Sequence, residues 1–354
     1  MLLFKELNME IRIIIYLFIF TLLTQTEASD STKVDFEVKV SKILMGTVVE
    51  TTARYPDINH CKQSLLKAYL EMERVENLLS YHKPSSEISK INDAAGKYPV
   101  PISIETFNIL RRSVGYAKKL NGLFDITIGP VSSLWDFSSP EGGHLPDRTD
   151  IDDKLKKVNY HDLILNSKDT TAYLKKAGMM IDLGGIAKGY AIDCGSAVLK
   201  ENGINNFILN AGGDIYVSGQ KDKNNLWKVG IKDPRNNQNL IARFDLKDYA
   251  AATSGDYERF IIVDGKRYCH IFDPHTGYPG NKSQSSTTFA ATAEEADVLA
   301  TYLFLIGAKQ ALNENFSRPF LIVGTDGRDT SNQAFKNLPG LKLELPVARE
   351  ALSD

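Results

Sequence analysis

Cysteine is scarce in this chain: 3 in 354 residues, at Cys61, Cys194 and Cys269. Sulfurs so few and so far apart cannot build a dense disulfide framework and match no zinc-ligand spacing, so they read as core residues. An excess of charge of either sign is missing as well, with 42 Lys+Arg against 44 Asp+Glu and a net charge of -2. That balance argues against a nucleic-acid surface as the main business of the protein, although a local basic pocket would be hidden in the sum. No internal repeat, low-complexity segment or linker divides the chain beyond its N-terminal segment. The apolar run at residues 13–23 is too short for an ordinary membrane span. It follows a short polar start with Lys5 and Arg12 and precedes Thr26-Glu27-Ala28, whose small residues suit a cleavage site. Residues 1–28 are therefore expected to be an export signal cleaved near Ala28, with an uncleaved anchor that holds the protein at the membrane as the alternative. No cysteine stands near that site to carry a lipid.

What remains is a globular composition, 43% hydrophobic and 24% charged, on a chain long enough to bury a substantial core. The stretch around which the rest is arranged spans residues 179–219. Met179-Met180-Ile181 reads as a buried strand closed by Asp182, Gly184-Gly185 as a turn, and 187–201 as a helix stopped by Asn202-Gly203. Phe207 to Leu209 reads as a second strand, leading into Gly212-Gly213 and Asp214. Backbone without side chains at strand ends lets a ligand touch the main chain, and the N–H groups of a following helix can hold an anion. Either glycine pair alone would also serve as an ordinary tight turn.

Around this stretch the pattern predicts strands at 35–40 and 43–51 flanking Met45-Gly46-Thr47, and an amphipathic helix at 61–79 with Leu65, Tyr69, Met72 and Leu79 on one face. A helix start at Ser86 and a helix at 104–120 follow, the latter burying Phe107, Leu110, Val114 and Ala117. Residues 141–154 read as a loop and an insertion. Strands are expected at 226–231 and 240–246, a hairpin at 260–268 around Asp264-Gly265, and a helix at 293–305. The fold class is α+β, one unit with two lobes.

Three groups of residues carry chemical potential. His270 and Asp273 lie between two polar turns, where a histidine held by a carboxylate could remove a proton. Thr292 and Glu295 form a capping box that starts a helix, which puts Asp297 and Thr301 one turn apart on one face. A carboxylate and a hydroxyl so placed can both give oxygen to magnesium, and Asp297 sits among apolar neighbours where a carboxylate needs a partner. The rings of Tyr81, Phe124 and Trp135 could stack on a flavin or adenine, or simply fill the core.

Taken in order, MGT at Met45, SYHKPSSEISKIN, GLFDITIGPVSSLWDF, IDLGGIAKGYAID, NAGGDIYVSG, ATSGDYERF, HIFDPHTGYP and ADVLATYLF resemble the successive motifs of the ApbE family of exported FAD:protein FMN transferases. The resemblance covers roughly residues 40–312. It implies an ApbE-like domain at 35–345 with mixed and antiparallel sheets, packed helices and an FAD cleft between two lobes. It further implies FAD contacts at Met45, Tyr81, Leu123, Phe124, Asp125, Asp182, Lys188 and Phe272, metal contacts at the Gly185 carbonyl, Asp297 and Thr301, and His270 as the catalytic histidine. Some family members carry a second aspartate where this chain has Ala300, which leaves the metal one carboxylate fewer.

The activity implied is magnesium-dependent transfer of FMN from FAD to a threonine or serine of an acceptor flavoprotein, with release of AMP. The acceptor would be a subunit of a membrane NADH:quinone reductase or a related electron-transfer complex, and no nucleic acid is involved. The place of action would be the periplasm or the outer face of the inner membrane. Two alternatives use the same residues: an FAD pyrophosphatase, with water in place of the acceptor, and a periplasmic flavin-binding protein without turnover. In the transferase the metal, Lys188 and turn N–H groups would neutralise the pyrophosphate. Asp273, if it touched His270, would raise the pKa of the ring.

Overall fold

The computed structural model describes residues 35–138, 143–236 and 238–344. The expected signal at 1–28 lies outside the described residues. Among the described residues no helix is long and apolar enough to cross a membrane.

Chain order runs β1 (Phe36–Leu44), β2 (Thr47–Tyr55), α1 (Ile58–Leu79), α2 (Glu87–Asp93), β3 (Val100–Pro101) and α3 (Ile104–Lys119). Next come α4 (Arg148–Leu155), β4 (Leu163–Asn166), β5 (Thr171–Leu174), α5 (Ala187–Glu201), β6 (Asn206–Ala211) and β7 (Asp214–Ser218). The remainder is β8 (Trp227–Lys232), β9 (Leu240–Leu246), β10 (Tyr249–Gly255), the hairpin β11 (Phe260–Val263) and β12 (Lys266–Cys269), β13 (Ser283–Ala290), α6 (Ala293–Asn313), β14 (Phe320–Gly324), β15 (Asp329–Ser331) and β16 (Lys342–Leu343). The fold is α+β, with antiparallel sheets and packed helices.

An eight-stranded sheet, ordered β1-β2-β6-β7-β10-β13-β14-β15, is the frame. Successive side chains of a strand point to opposite faces, and here both faces are covered. Phe207, Leu209, Tyr216, Ala250, Ala252, Phe320 and Ile322 join α1, α5 and α6 in the larger core. Their neighbours Ile208, Ile215, Val217, Ala251, Leu321 and Val323 pack instead with Trp227, Phe244 and Phe335, under the small sheet β16-β9-β8. A third cluster, Val131, Trp135, Ile151, Ile261 and Phe272, stands apart from both.

Four local expectations are corrected. Residues 148–155 form α4 rather than loop, because Ile151 and Leu155, one turn apart, seat in the third cluster. Met179 to Ile181 is extended but makes no strand ladder: the Asn92 side chain takes the Ile181 N–H at 2.7 Å and gives to its carbonyl at 3.0 Å, and Met180 makes one bridge to Ile128. Helix α6 continues past residue 305 to Asn313, with a break at Gly307, whose φ is 74°. Only half of the capping box forms. Thr292 Oγ1 accepts the Glu295 N–H, whereas the Glu295 carboxylate turns to Arg318. The start of α6 is secured instead by Asp193 of α5, which accepts the Ala293 and Glu294 N–H groups at 2.8 and 2.9 Å.

Candidate active site

Helices α5 and α6 approach so closely at Gly189 that a side chain there would overlap the Ala293 carbonyl. The contact brings the Gly189 N–H to Asp297 Oδ2 at 3.1 Å. Asp297 is 5% exposed. Burial, more than any other influence, lifts its pKa to about 7, with the Lys188 charge pulling down and the like charge of Asp214 pushing up. A buried carboxylate with one backbone donor and a like-charged neighbour is under-compensated.

One residue earlier on α5, Lys188 forms an ion pair with Asp214 Oδ2. Asp214 is 1% exposed and also accepts the Thr253 N–H through Oδ1. Burial works against the Lys188 ammonium, but Asp214 and Asp297 outweigh it and raise its pKa. Thr301, one turn beyond Asp297, lies 3.4 Å from Ser254 Oγ. A methyl group built on Gly185 would sit 3.4 Å from Thr301 Oγ1 and 3.2 Å from the ring of Phe124. Gly185, Asp297 and Thr301 are thus brought to one place, with Phe124 beside them.

Of the two glycine pairs, three N–H groups are taken by the protein itself, which leaves that of Gly185 without a protein acceptor among the described residues. The Gly184 N–H is taken by Asp182 Oδ1, that of Gly212 by the Val48 carbonyl, and that of Gly213 by Asn210 Oδ1. At the start of α5 the N–H groups of Ile186 and Ala187 go to the Leu183 carbonyl.

His270 is half-buried after β12, within reach of the Lys188 charge. Its Nδ1 is 3.3 Å from the Arg259 carbonyl. A carbonyl can only accept, so Nδ1 carries the proton and Nε2 keeps the lone pair. The expected partner Asp273 is elsewhere: it accepts the His275 N–H at 2.9 Å and lies 3.7 Å from the His275 ring. The pKa of His270 is accordingly pushed down, not up, to about 4, by burial first and by the charges of Arg259 and Lys188.

The expected flavin contacts divide between two cores. Phe124 belongs to the larger core, against which Met45, Tyr81 and Leu123 pack, while Phe272 belongs to the third cluster, 5.7 Å from the buried ring of Trp135. Burial raises the Tyr81 hydroxyl to about 12, helped by the Asp182 charge and opposed by that of Arg259. Asp182 also accepts from Ser132 at 3.0 Å. Asp125 is a different kind of group. Its oxygens accept Thr127 N and Oγ1 at 2.8 and 2.7 Å and Tyr160 N at 2.9 Å, tying its own loop to residues 159–160.

The model of the ApbE family matches residues 45–316. This chain belongs to the ApbE family. It is 30% identical over 272 residues to an FAD:protein FMN transferase of Klebsiella pneumoniae (strain 342), a match covering 76% of this chain and 83% of that protein. An FAD:protein FMN transferase of Vibrio cholerae is 29% identical over 310 residues, 85% of this chain and 92% of that one. Among solved structures, the ApbE protein of Thermotoga maritima aligns with a TM-score of 0.79 at 33% identity over 85% of this chain and 98% of that chain. The flavin transferase ApbE of Vibrio cholerae gives 0.74 at 27% identity, over 86% and 99%.

For this ApbE-family chain, sequence reasoning passed over Asp214 and Arg259. Asp214 could have been found by the argument used for Asp297, since it stands between Gly213 and the apolar Ile215-Tyr216-Val217. Arg259 stands in the ATSGDYERF stretch, but in an exposed Glu-Arg pair to which no burial argument applies.

Proposed function

We propose that this protein transfers FMN from FAD to a serine or threonine hydroxyl of a partner flavoprotein, using magnesium and releasing AMP. The observation that carries the reading is the pairing, within one site of an ApbE-family fold, of an under-compensated buried carboxylate, Asp297, with a histidine whose Nε2 is unprotonated. The donors suit magnesium: a carboxylate, the Thr301 hydroxyl and the nearby Gly185 backbone are hard oxygen ligands, and Asp297 shares its one nearby cation, Lys188, with Asp214. Asp297, Thr301 and the Gly185 carbonyl would hold the ion, which when bound neutralises charge on the diphosphate.

The protein's own groups do the rest. His270 Nε2 takes the proton of the acceptor hydroxyl, whose oxygen bonds to the FMN phosphorus as the bond from that phosphorus to the AMP phosphate breaks. A base with a pKa of about 4 is weak. The negative diphosphate beside it would raise its basicity once substrate is bound, so the histidine becomes effective in the loaded site. Tyr81, Phe124 and Met45 on one core and Phe272 on the other would grip the flavin. Asp182 would act from the turn before α5.

The acceptor would be a subunit of a membrane NADH:quinone reductase or a related complex, met in the periplasm or at the outer face of the inner membrane after export. Incubation of the purified protein with FAD and magnesium, with and without such a flavoprotein, tests the reading. Covalently yellow acceptor and stoichiometric AMP are expected. AMP and FMN formed at the same rate without acceptor would make it a pyrophosphatase, and unchanged FAD a binding protein.

A further inference from the structure

We infer that Arg259 is a further substrate-binding residue of this site, contacting the diphosphate of FAD. The inference rests on the flavin-transfer reading and extends it to a residue that lies within the ATSGDYERF stretch but to which the resemblance assigned no role.

Charge accounting in the site leads to it. FAD brings two negative charges on its diphosphate, and the expected magnesium is offset in part by the buried Asp297. Lys188 feels the charges of both Asp214 and Asp297 and is already paired with Asp214, so turning it to substrate would leave a buried carboxylate without its cation. The backbone donors of Gly184, Gly189, Gly212 and Gly213 are occupied by groups of the protein itself. The N–H groups of Gly185 and Lys188 have no protein acceptor among the described residues but carry no net charge, and Arg259 is the cation in position to meet the charge that remains. Its Nη2 would lie 3.1 Å from a methyl group built on Gly46, so the guanidinium rests over the Met45-Gly46 turn. From there its charge bears on both Tyr81 and His270. Nearby Arg235 and Arg267 both face Asp256, at 2.6 and 3.9 Å. Arg259 joins none of the ion pairs found among the described residues and is exposed, free to turn to an anion.

The geometry also separates its two roles. His270 is held by the Arg259 main-chain carbonyl, whereas the diphosphate would be held by the side chain. A substitution therefore removes the second and spares the first. Guanidinium presents paired N–H donors that match phosphate oxygens, which lysine reproduces only as a point charge.

The test is a binding comparison in magnesium, by calorimetry, of wild type, Arg259→Gln and Arg259→Lys with FAD, ADP and riboflavin, thermal unfolding serving to verify the fold. Arg259→Gln should weaken FAD and ADP by about tenfold or more, the scale of one charge-assisted hydrogen bond, and leave riboflavin, which has no phosphate, unchanged. Arg259→Lys should recover part of the loss. Equal binding of FAD and ADP by wild type and Arg259→Gln overturns the assignment, as does an equal loss of riboflavin, which would make the arginine a wall of the ring pocket. Failure of the wild type itself to bind FAD would instead overturn the flavin-transfer reading on which the assignment rests.

Discussion

Asp125 and Asp297 are both buried carboxylates, 8% and 5% exposed, and both have pKa values lifted by burial. They differ in what surrounds them. Asp125 receives three donors from Thr127 and Tyr160. Asp297 receives one from Gly189, feels the like charge of Asp214, and has for counter-charge only a lysine already paired with Asp214. A carboxylate whose lone pairs are filled by its own chain is a strut, and one left partly bare is a place for something to bind. Burial alone does not distinguish function from support; the count of satisfied donors does.

The largest effect should come from Asp297. Asp297→Ala is expected to abolish magnesium-dependent transfer while thermal unfolding stays cooperative, and full activity of the wild type in excess EDTA would remove the metal assignment altogether. His270→Ala comes next, with transfer lower by roughly 10²-fold or more and FAD binding retained. The neutral imidazole is the active form, so transfer should fall as pH drops through its pKa. At saturating magnesium, kcat/KM should hold down to about pH 4, because the free protein keeps this ring far below the ordinary histidine value, whereas the acid limb of kcat should lie higher. A common limb near 6.5 in both profiles would show that burial does not govern His270.

Asp125→Ala sharpens the contrast from the other side. It leaves buried N–H groups of Thr127 and Tyr160 without an acceptor, so unfolding free energy should drop by about 2 to 4 kcal/mol with the residual folded protein still active. If it instead removed activity at unchanged stability, Asp125 would belong with Asp297. Replacing Tyr81 or Phe124 by alanine should weaken FAD binding by about 1 to 3 kcal/mol.

The smallest effect concerns pH and metal together. In EDTA, Asp297 has a folded pKa of about 7 against an ordinary 3.8, so its contribution to stability is present below about pH 4 and is lost as pH rises through 7. Magnesium binds the charged form and should therefore raise Tm more at pH 8 than at pH 5, a difference that Asp297→Asn should abolish.

Elements with strong periodicity were legible in the sequence: α1, α3 and α5, the hairpin at Asp264-Gly265, and β8 and β9 all lie close to where the pattern puts them. Strand β13 was not, for a physical reason. Its sequence SQSSTTFA is polar yet wholly buried, because Ser286 gives its hydroxyl to the Ala300 carbonyl at 2.6 Å, Thr288 to that of Pro319 at 2.9 Å, and Thr287 pairs with Thr253 at 2.8 Å. Hydrophobicity cannot reveal a strand whose interior is held by hydroxyls. In the site, the metal-facing residues could be placed by helix spacing, since Asp297 and Thr301 share one helix. The surroundings of His270 could not, because chain proximity suggested Asp273 while the turn at residues 273–278 carries that carboxylate to His275.

Gly189 has no functional group, yet any side chain there would collide with the main chain of α6. A survey of tolerated substitutions would consequently rank this silent position with the chemically active ones, for Gly189→Ala must part the two helices and so pull the Gly189 N–H from Asp297. Intolerance at 189 would measure how tightly two rods must cross, not what either of them does to a substrate.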